Sequence, residues 1–186
     1  MRRYALLLTF ALCSLWCQSA VAQADIGLKG AGFAVGIVSP EDMDATFGVG
    51  AFLDLGSIVP NLHVEPRVDY WSKSEDFFSG SVSVRDIAIG ARAKYYFPIP
   101  NPKLRPFAGG GLALNLLNVE VETIDPFTGG TMTGDDSSSK VGLDLGGGLA
   151  TPLGPRTTFL TEVWYGIVSD FSHITLRVGL MQAFGP

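Results

Sequence analysis

From residue 26 onward, successive segments of the chain repeat one pattern: side chains change character at every second position. That period belongs to β-strands whose two faces meet different surroundings. The clearest segment sets Leu62, Val64, Pro66, Val68 and Tyr70 against His63, Glu65, Arg67, Asp69 and Trp71, so one face is apolar and the other carries nearly every charge. Ile87, Ile89, Ala91, Ala93, Tyr95 and Phe97 alternate with Ala88, Gly90, Arg92, Lys94 and Tyr96, while Phe47, Val49, Ala51, Leu53 and Leu55 alternate with Thr46, Gly48, Gly50, Phe52 and Asp54. Phe33, Val35 and Ile37 form a further segment, and 104–116, 141–149, 157–167 and 174–184 complete a set of eight. Ile26 and Leu28 are out of phase with Phe33, which a β-bulge near Gly30 reconciles.

The connections alternate too. Residues 39–44, 72–81, 117–140 and 168–173 are polar and mostly acidic, whereas 56–61, 98–103 and 151–156 are tight and rich in Pro, Gly and Asn. Long outer loops and short turns on the opposite side are the rhythm of an all-β, eight-stranded antiparallel up-and-down transmembrane β-barrel, with both termini on the periplasmic side. Periodicity alone does not say which face is inside. An exported lipocalin-like binding barrel would turn the apolar face inward and be soluble.

Three features favour apolar-outward. The strands are about ten residues long, as a tilted bilayer crossing requires. Tyr70, Tyr95, Phe97, Phe159, Tyr165 and Phe184 lie near segment ends, where interfacial girdles form. The N-terminus reads as a secretion signal: Arg2 and Arg3, an apolar run from Tyr4 to Trp16, then Ala20-Val21-Ala22 as the cleavage box, with Ala22-Gln23-Ala24 as a second candidate. Cleavage after Ala22 gives a signal peptide, 1–22, and a barrel domain, 23–186.

Composition narrows the rest. Hydrophobic residues make up 47% and charged residues 17%, against roughly 25% charged in a typical soluble domain, so disorder is excluded. No apolar run beyond the leader is long enough for a spanning helix. Loss of Arg2 and Arg3 leaves 11 basic residues against 18 acidic ones, which argues against nucleic acid as a partner. Cys13 and Cys17 both fall in the leader, and Leu12 and Trp16 before them do not suit a lipid-attachment box.

With the charged face inward, the lumen contains Asp54, Glu65, Asp69, Asp144 and Glu162 against Arg67, Arg92, Lys94, Arg105 and Arg177. Five acids facing five bases predict a neutral network that fills the lumen, because an eight-stranded barrel is just wide enough for its own side chains. The same set could instead gate a narrow pore. Glycines on that face, among them Gly48, Gly50, Gly90, Gly109, Gly111, Gly146 and Gly148, leave room for large neighbours. Pairing Ile167 with Ile174 in the last hairpin would set Arg177 opposite Trp164 and diagonal to Glu162.

Other motifs carry little. Gly109-Gly110-Gly111 and Gly146-Gly147-Gly148 open no helix and lack the Lys of a phosphate loop. His63 and His173 have no partner at metal-ligand spacing, and the acidic loop residues lack an EF-hand order, so no metal or other cofactor is expected. Ser169, Asp170, Ser172 and His173 hold the inventory of an acyl-transfer site, but a His-x-Ser nucleophile motif is missing and these are common turn residues, so no enzymatic activity is expected.

The strand Arg105-Pro106-Phe107-Ala108-Gly109-Gly110-Gly111-Leu112, the seventh strand with Glu162 and the aromatic-ended last strand resemble the small outer-membrane barrels of the OmpA, OmpX and OmpW kind. The resemblance implies a monomer in the cell outer membrane. It would contact lipid and lipopolysaccharide, use the barrel-assembly machinery for insertion, and have a structural or surface-interaction role. The OmpW kind also allows a narrow channel or a transporter of small or hydrophobic solutes.

Overall fold

The computed structural model describes residues 24–41, 43–77, 80–101, 103–124, 130–169 and 171–185. The expected signal peptide, 1–22, lies outside the described residues. Eight strands follow in order: β1 (Asp25–Pro40), β2 (Thr46–Val59), β3 (Leu62–Phe77), β4 (Gly80–Tyr96), β5 (Arg105–Ile124), β6 (Thr131–Pro152), β7 (Thr157–Val168) and β8 (Phe171–Ala183). Each pairs antiparallel with its neighbours, and β1 pairs with β8, from Gly30↔Ala183 to Pro40↔His173, so the sheet closes into a ring. The register of β1 against β2 shifts between Ile26 and Gly30, which puts the bulge where the phase change requires it.

Burial fixes inside and outside. Phe33, Val35, Ile37, Phe47, Val49, Val68, Ile87, Ile89, Leu112, Leu114, Val163, Leu176 and Val178 are exposed, whereas Arg67, Arg92, Lys94, Asp144, Glu162 and Arg177 are buried. A soluble barrel would reverse this, so the lipocalin-like alternative fails. On the outer face such a belt matches hydrocarbon, where a Lys or Arg near the midplane would cost about 2–4 kcal/mol. Tyr70, Tyr95, Phe97, Tyr165 and Phe184 are all exposed, and the Tyr95 and Phe97 rings meet edge to face at 5.4 Å.

Two expectations need correction. Most of 72–81 and 117–140 is strand, not loop: β3 and β4 stay paired out to Phe77↔Gly80, and β5 and β6 out to Ile124↔Thr131. The outward row Tyr70–Ile87–Leu116 is apolar, and the next outward row, Ser72–Arg85–Asn118–Ser137, is polar. Pairing continues past this boundary while the outward side chains change from lipid-compatible to water-compatible. The alternation that marked the strands therefore fades although the ladder does not. Second, the last hairpin is tighter than expected. Val168 pairs with Phe171 and Ile167 with Ser172, so Arg177 faces Glu162 directly and Trp164 faces Thr175.

Above the boundary the sidedness inverts. Val82 pairs with Val121 and Val84 with Val119 on the inward face. Val84, Leu117 and Val119 line a cleft with Pro40, Met43, Trp71 and Phe171 at the mouth opposite the termini.

Candidate functional site

The lumen is built in layers, starting at the terminal end. There Asp54 accepts from the Gly56 amide at 2.8 Å and lies 3.1 Å from His63 Nδ1, while the Arg105 guanidinium sits 4.6 Å above the Tyr96 ring. Both Asp54 and Arg105 thus have local partners at the rim and stand apart from the central network to which the sequence assigned them. Their strand positions explain this, since Arg105 opens β5 and Asp54 lies in the half of β2 nearer the termini.

The next layer is apolar. Ala34, Phe52, Tyr96, Phe107, Ala150, Leu160 and Trp164 form a buried cluster inside the ring. Gly146 makes the space for Trp164: a Cβ there would lie 2.7 Å from Trp164 Cε3. Gly111 does the same for Arg92, whose Cγ would be 2.8 Å from a Cβ at that position.

The charged layer follows. Lys94 Nζ donates to Glu65 Oε2 at 2.7 Å and to Glu162 Oε1 at 2.6 Å, and stands 4.9 Å from the Phe107 ring centroid. Arg177 pairs with Glu162 and, at 3.1 Å, with Asp69 Oδ1. Arg67 pairs with Asp69 and Asp144, while Arg92 Nε donates to Asp144 Oδ2 at 3.1 Å. The Arg92 guanidinium lies 4.0 Å over the Trp164 ring, and Lys94 Nζ 5.9 Å from it. The structure therefore brings together eight of the ten charges named from the sequence: Glu65, Arg67, Asp69, Arg92, Lys94, Asp144, Glu162 and Arg177. Bonds cross the lumen between β3, β4, β6, β7 and β8, so the network ties the ring across its diameter.

Asp86 was missed. It is 1% exposed and accepts from Trp71 Nε1 at 3.2 Å. Its signal was present, because Asp86 is in phase with Ala88, Gly90, Arg92 and Lys94, one step past the last apolar outward residue. Beside it, a cavity of about 40 Å³ is lined by residues including Arg67, Asp86, Arg92, Asn115 and His173. Polar walls and that size suit a few ordered waters.

The serines and histidine near the last hairpin do not assemble a relay. Along β8 successive side chains alternate faces, which sends Ser172 and His173 to opposite sides of the wall. The His173 ring stacks on Phe171 at 5.6 Å and packs over Gly166. Asp170 lies outside the described residues.

A closed antiparallel ring with a lipid-compatible belt and a filled polar interior defines an integral β-barrel of the outer membrane. The chain belongs to the outer membrane protein beta-barrel domain family, whose model matches residues 6–184. Its fold is similar to that of Neisserial surface protein A (TM-score 0.62, 16% identity, 83% of this chain and 96% of that one). It is similar too to a major outer membrane protein from Thermus thermophilus (0.58, 14%, 83% and 99%) and to Ail, the attachment invasion locus protein of Yersinia pestis (0.53, 13%, 84% and 99%). No curated protein sequence matches the chain significantly.

Proposed function

We propose that this barrel is a non-enzymatic scaffold of the outer membrane, closed to solutes, whose work is done by the hairpins raised above the lipid. The observation that carries this is the packing inside the lumen, where Phe52, Phe107, Leu160 and Trp164 are buried at 1–3% exposure around the Lys94–Glu65–Glu162 contacts, with Trp164 Nε1 donating to Glu162 at 3.2 Å. Ions cannot pass a dry aromatic layer without moving it. Charged side chains bound on several sides hold their neighbours in place, because separating them would strand buried charge.

The surface role rests on the paired extensions of β3–β6, which lift a sheet well past the Tyr70–Ile87–Leu116 row. We place this end outward, opposite the termini, in line with the loop asymmetry of such barrels. Ail has been crystallised with a heparin analogue, sucrose octasulfate. The extensions here carry Glu120, Glu122, Asp135 and Asp136, which oppose a polysulfated ligand.

The narrow-channel reading is favoured only by the small cavity beside Arg67, Asp86 and Arg92. Reconstitution into planar bilayers separates the two. The scaffold predicts no conductance steps above protein-free bilayers in molar salt, and a stable open level would overturn it.

A further inference from the structure

The charge balance of the lumen leaves one acid over. Lys94, Arg67, Arg92 and Arg177 are each held by carboxylates of Glu65, Asp69, Asp144 or Glu162. Asp86 adds a fifth buried carboxylate. Among the described residues no ion pair involves it, and its partner is the neutral Trp71 indole. Lys140 belongs to the mouth cleft with Trp71 and is engaged in a contact of its own. Asp86 stands one residue beyond the Tyr70–Ile87–Leu116 row, past the apolar belt.

Its neighbours share its problem. Among the described residues six buried side-chain atoms lack a hydrogen-bond partner, and five belong to residues lining the cavity of about 40 Å³: Arg67 Nε, Asp86 Oδ1, Arg92 Nη1, His173 Nδ1 and Arg177 Nη2. Buried polar atoms are rarely left bare, and a few waters in this space would reach them. The arginines repel a metal cation, while an anion would add to the surplus of negative charge. A proton on Asp86 removes the surplus. Burial without a counter-charge favours the neutral carboxyl, which turns Oδ1 into a donor and leaves Oδ2 to accept from Trp71.

The charged and titratable groups around Asp86 are Arg67 and Asp69 on β3, Arg92 on β4, Asp144 on β6, and His173 and Arg177 on β8; β5 presents Asn115, and β1 and β2 only small or apolar side chains. Three guanidinium groups on the same cavity disfavour an imidazolium, so His173 stays neutral and its Nδ1 is an acceptor. The His173 ring also lines a crevice on the outer surface with Ser39, Glu41, Tyr165 and Ser172, which gives a proton its way in.

We propose that Asp86 is an exchangeable proton site, its protonated carboxyl bonded through cavity water to His173 Nδ1, so that acid strengthens the barrel at its outer mouth. The proton comes from bulk water, the new O–H bond forms at Oδ1, and nothing is oxidised or reduced. The native barrel holds this proton to higher pH than the unfolded chain does. The linked stability is therefore fully present in acid and lost as pH rises through the native value.

The test uses the full barrel in lipid nanodiscs, with the indole N–H signals of Trp71 and Trp164 followed by NMR from about pH 8 to about pH 4, where buried carboxyls and histidines titrate. Trp71 should move in one step. Trp164, which donates to Glu162, should stay still. Asp86→Asn, which keeps an acceptor for the indole, should abolish the step, and on acidification the urea midpoint of the unaltered protein in liposomes should rise relative to that variant. His173→Phe should shift the step to lower pH by about one unit, the worth of one hydrogen bond to the protonated form. A motionless Trp71 overturns the proposal without any variant. A step that survives Asp86→Asn, or one that His173→Phe moves to higher pH, puts the proton elsewhere and overturns the assignment to Asp86.

Discussion

Lys94, 1% exposed, holds carboxylates from β3 and β7 at 2.7 and 2.6 Å. Truncating one member of a buried ionic set strands the others, at a cost of about 3–5 kcal/mol. Lys94→Met should therefore lower unfolding stability by that order in urea titrations with liposome-inserted protein. Adding Glu65→Gln should recover part of the loss, since one stranded charge is then gone; additive losses would show that the Lys94–Glu65 contact carries no coupling. At this scale the sequence was informative. Period two placed Glu65, Arg67, Asp69, Arg92, Lys94, Asp144, Glu162 and Arg177 on one face. It could not say which acid meets which base, because partners such as Lys94 and Glu162 lie 68 positions apart and are joined by barrel curvature, not by spacing. Arg105 and Asp54 share the face but sit at its rim, a difference of height that alternation does not encode.

At the scale of elements, β5 and β6 show where pattern reading stops. Their lipid-embedded halves alternate plainly, whereas Asn118–Ser137 and Glu120–Asp135 continue the same ladder with polar outward side chains. A run such as Asp135 to Ser139 reads as loop from composition, yet its backbone is held by β5. Because this extension lies beyond the apolar belt, the barrel should stand without it. Replacing residues 119–136, between the paired Asn118 and Ser137, by a two-residue Asn-Gly turn should leave the urea midpoint of the inserted barrel within experimental error. A fall as large as that for Lys94→Met would mean that the hairpin belongs to the stability core.

For the whole molecule the decisive facts are closure and sidedness. Neither was fixed by periodicity, which fits an apolar-in barrel equally well; the pairing of Phe33 with Leu180 and the burial of Arg177 decide both. A ring has no edge within the bilayer, so its backbone bonds cannot be released one strand at a time into hydrocarbon. Unboiled protein should therefore migrate in SDS gels as a compact form and shift on heating. A band indifferent to boiling would contradict a closed barrel.

The boundary at Tyr70–Ile87–Leu116 also bears on biogenesis. In the orientation proposed above, everything beyond that row has to cross the membrane before the ring can settle, and the β5–β6 tip carries Glu120, Glu122, Asp135 and Asp136 with it. The native state gives those carboxylates water, but the route to it does not. With that end outward, insertion rates should fall as the acyl chains of the host lipid lengthen, and fall less for a barrel whose β5–β6 tip is cut back to the Asn118–Ser137 pair.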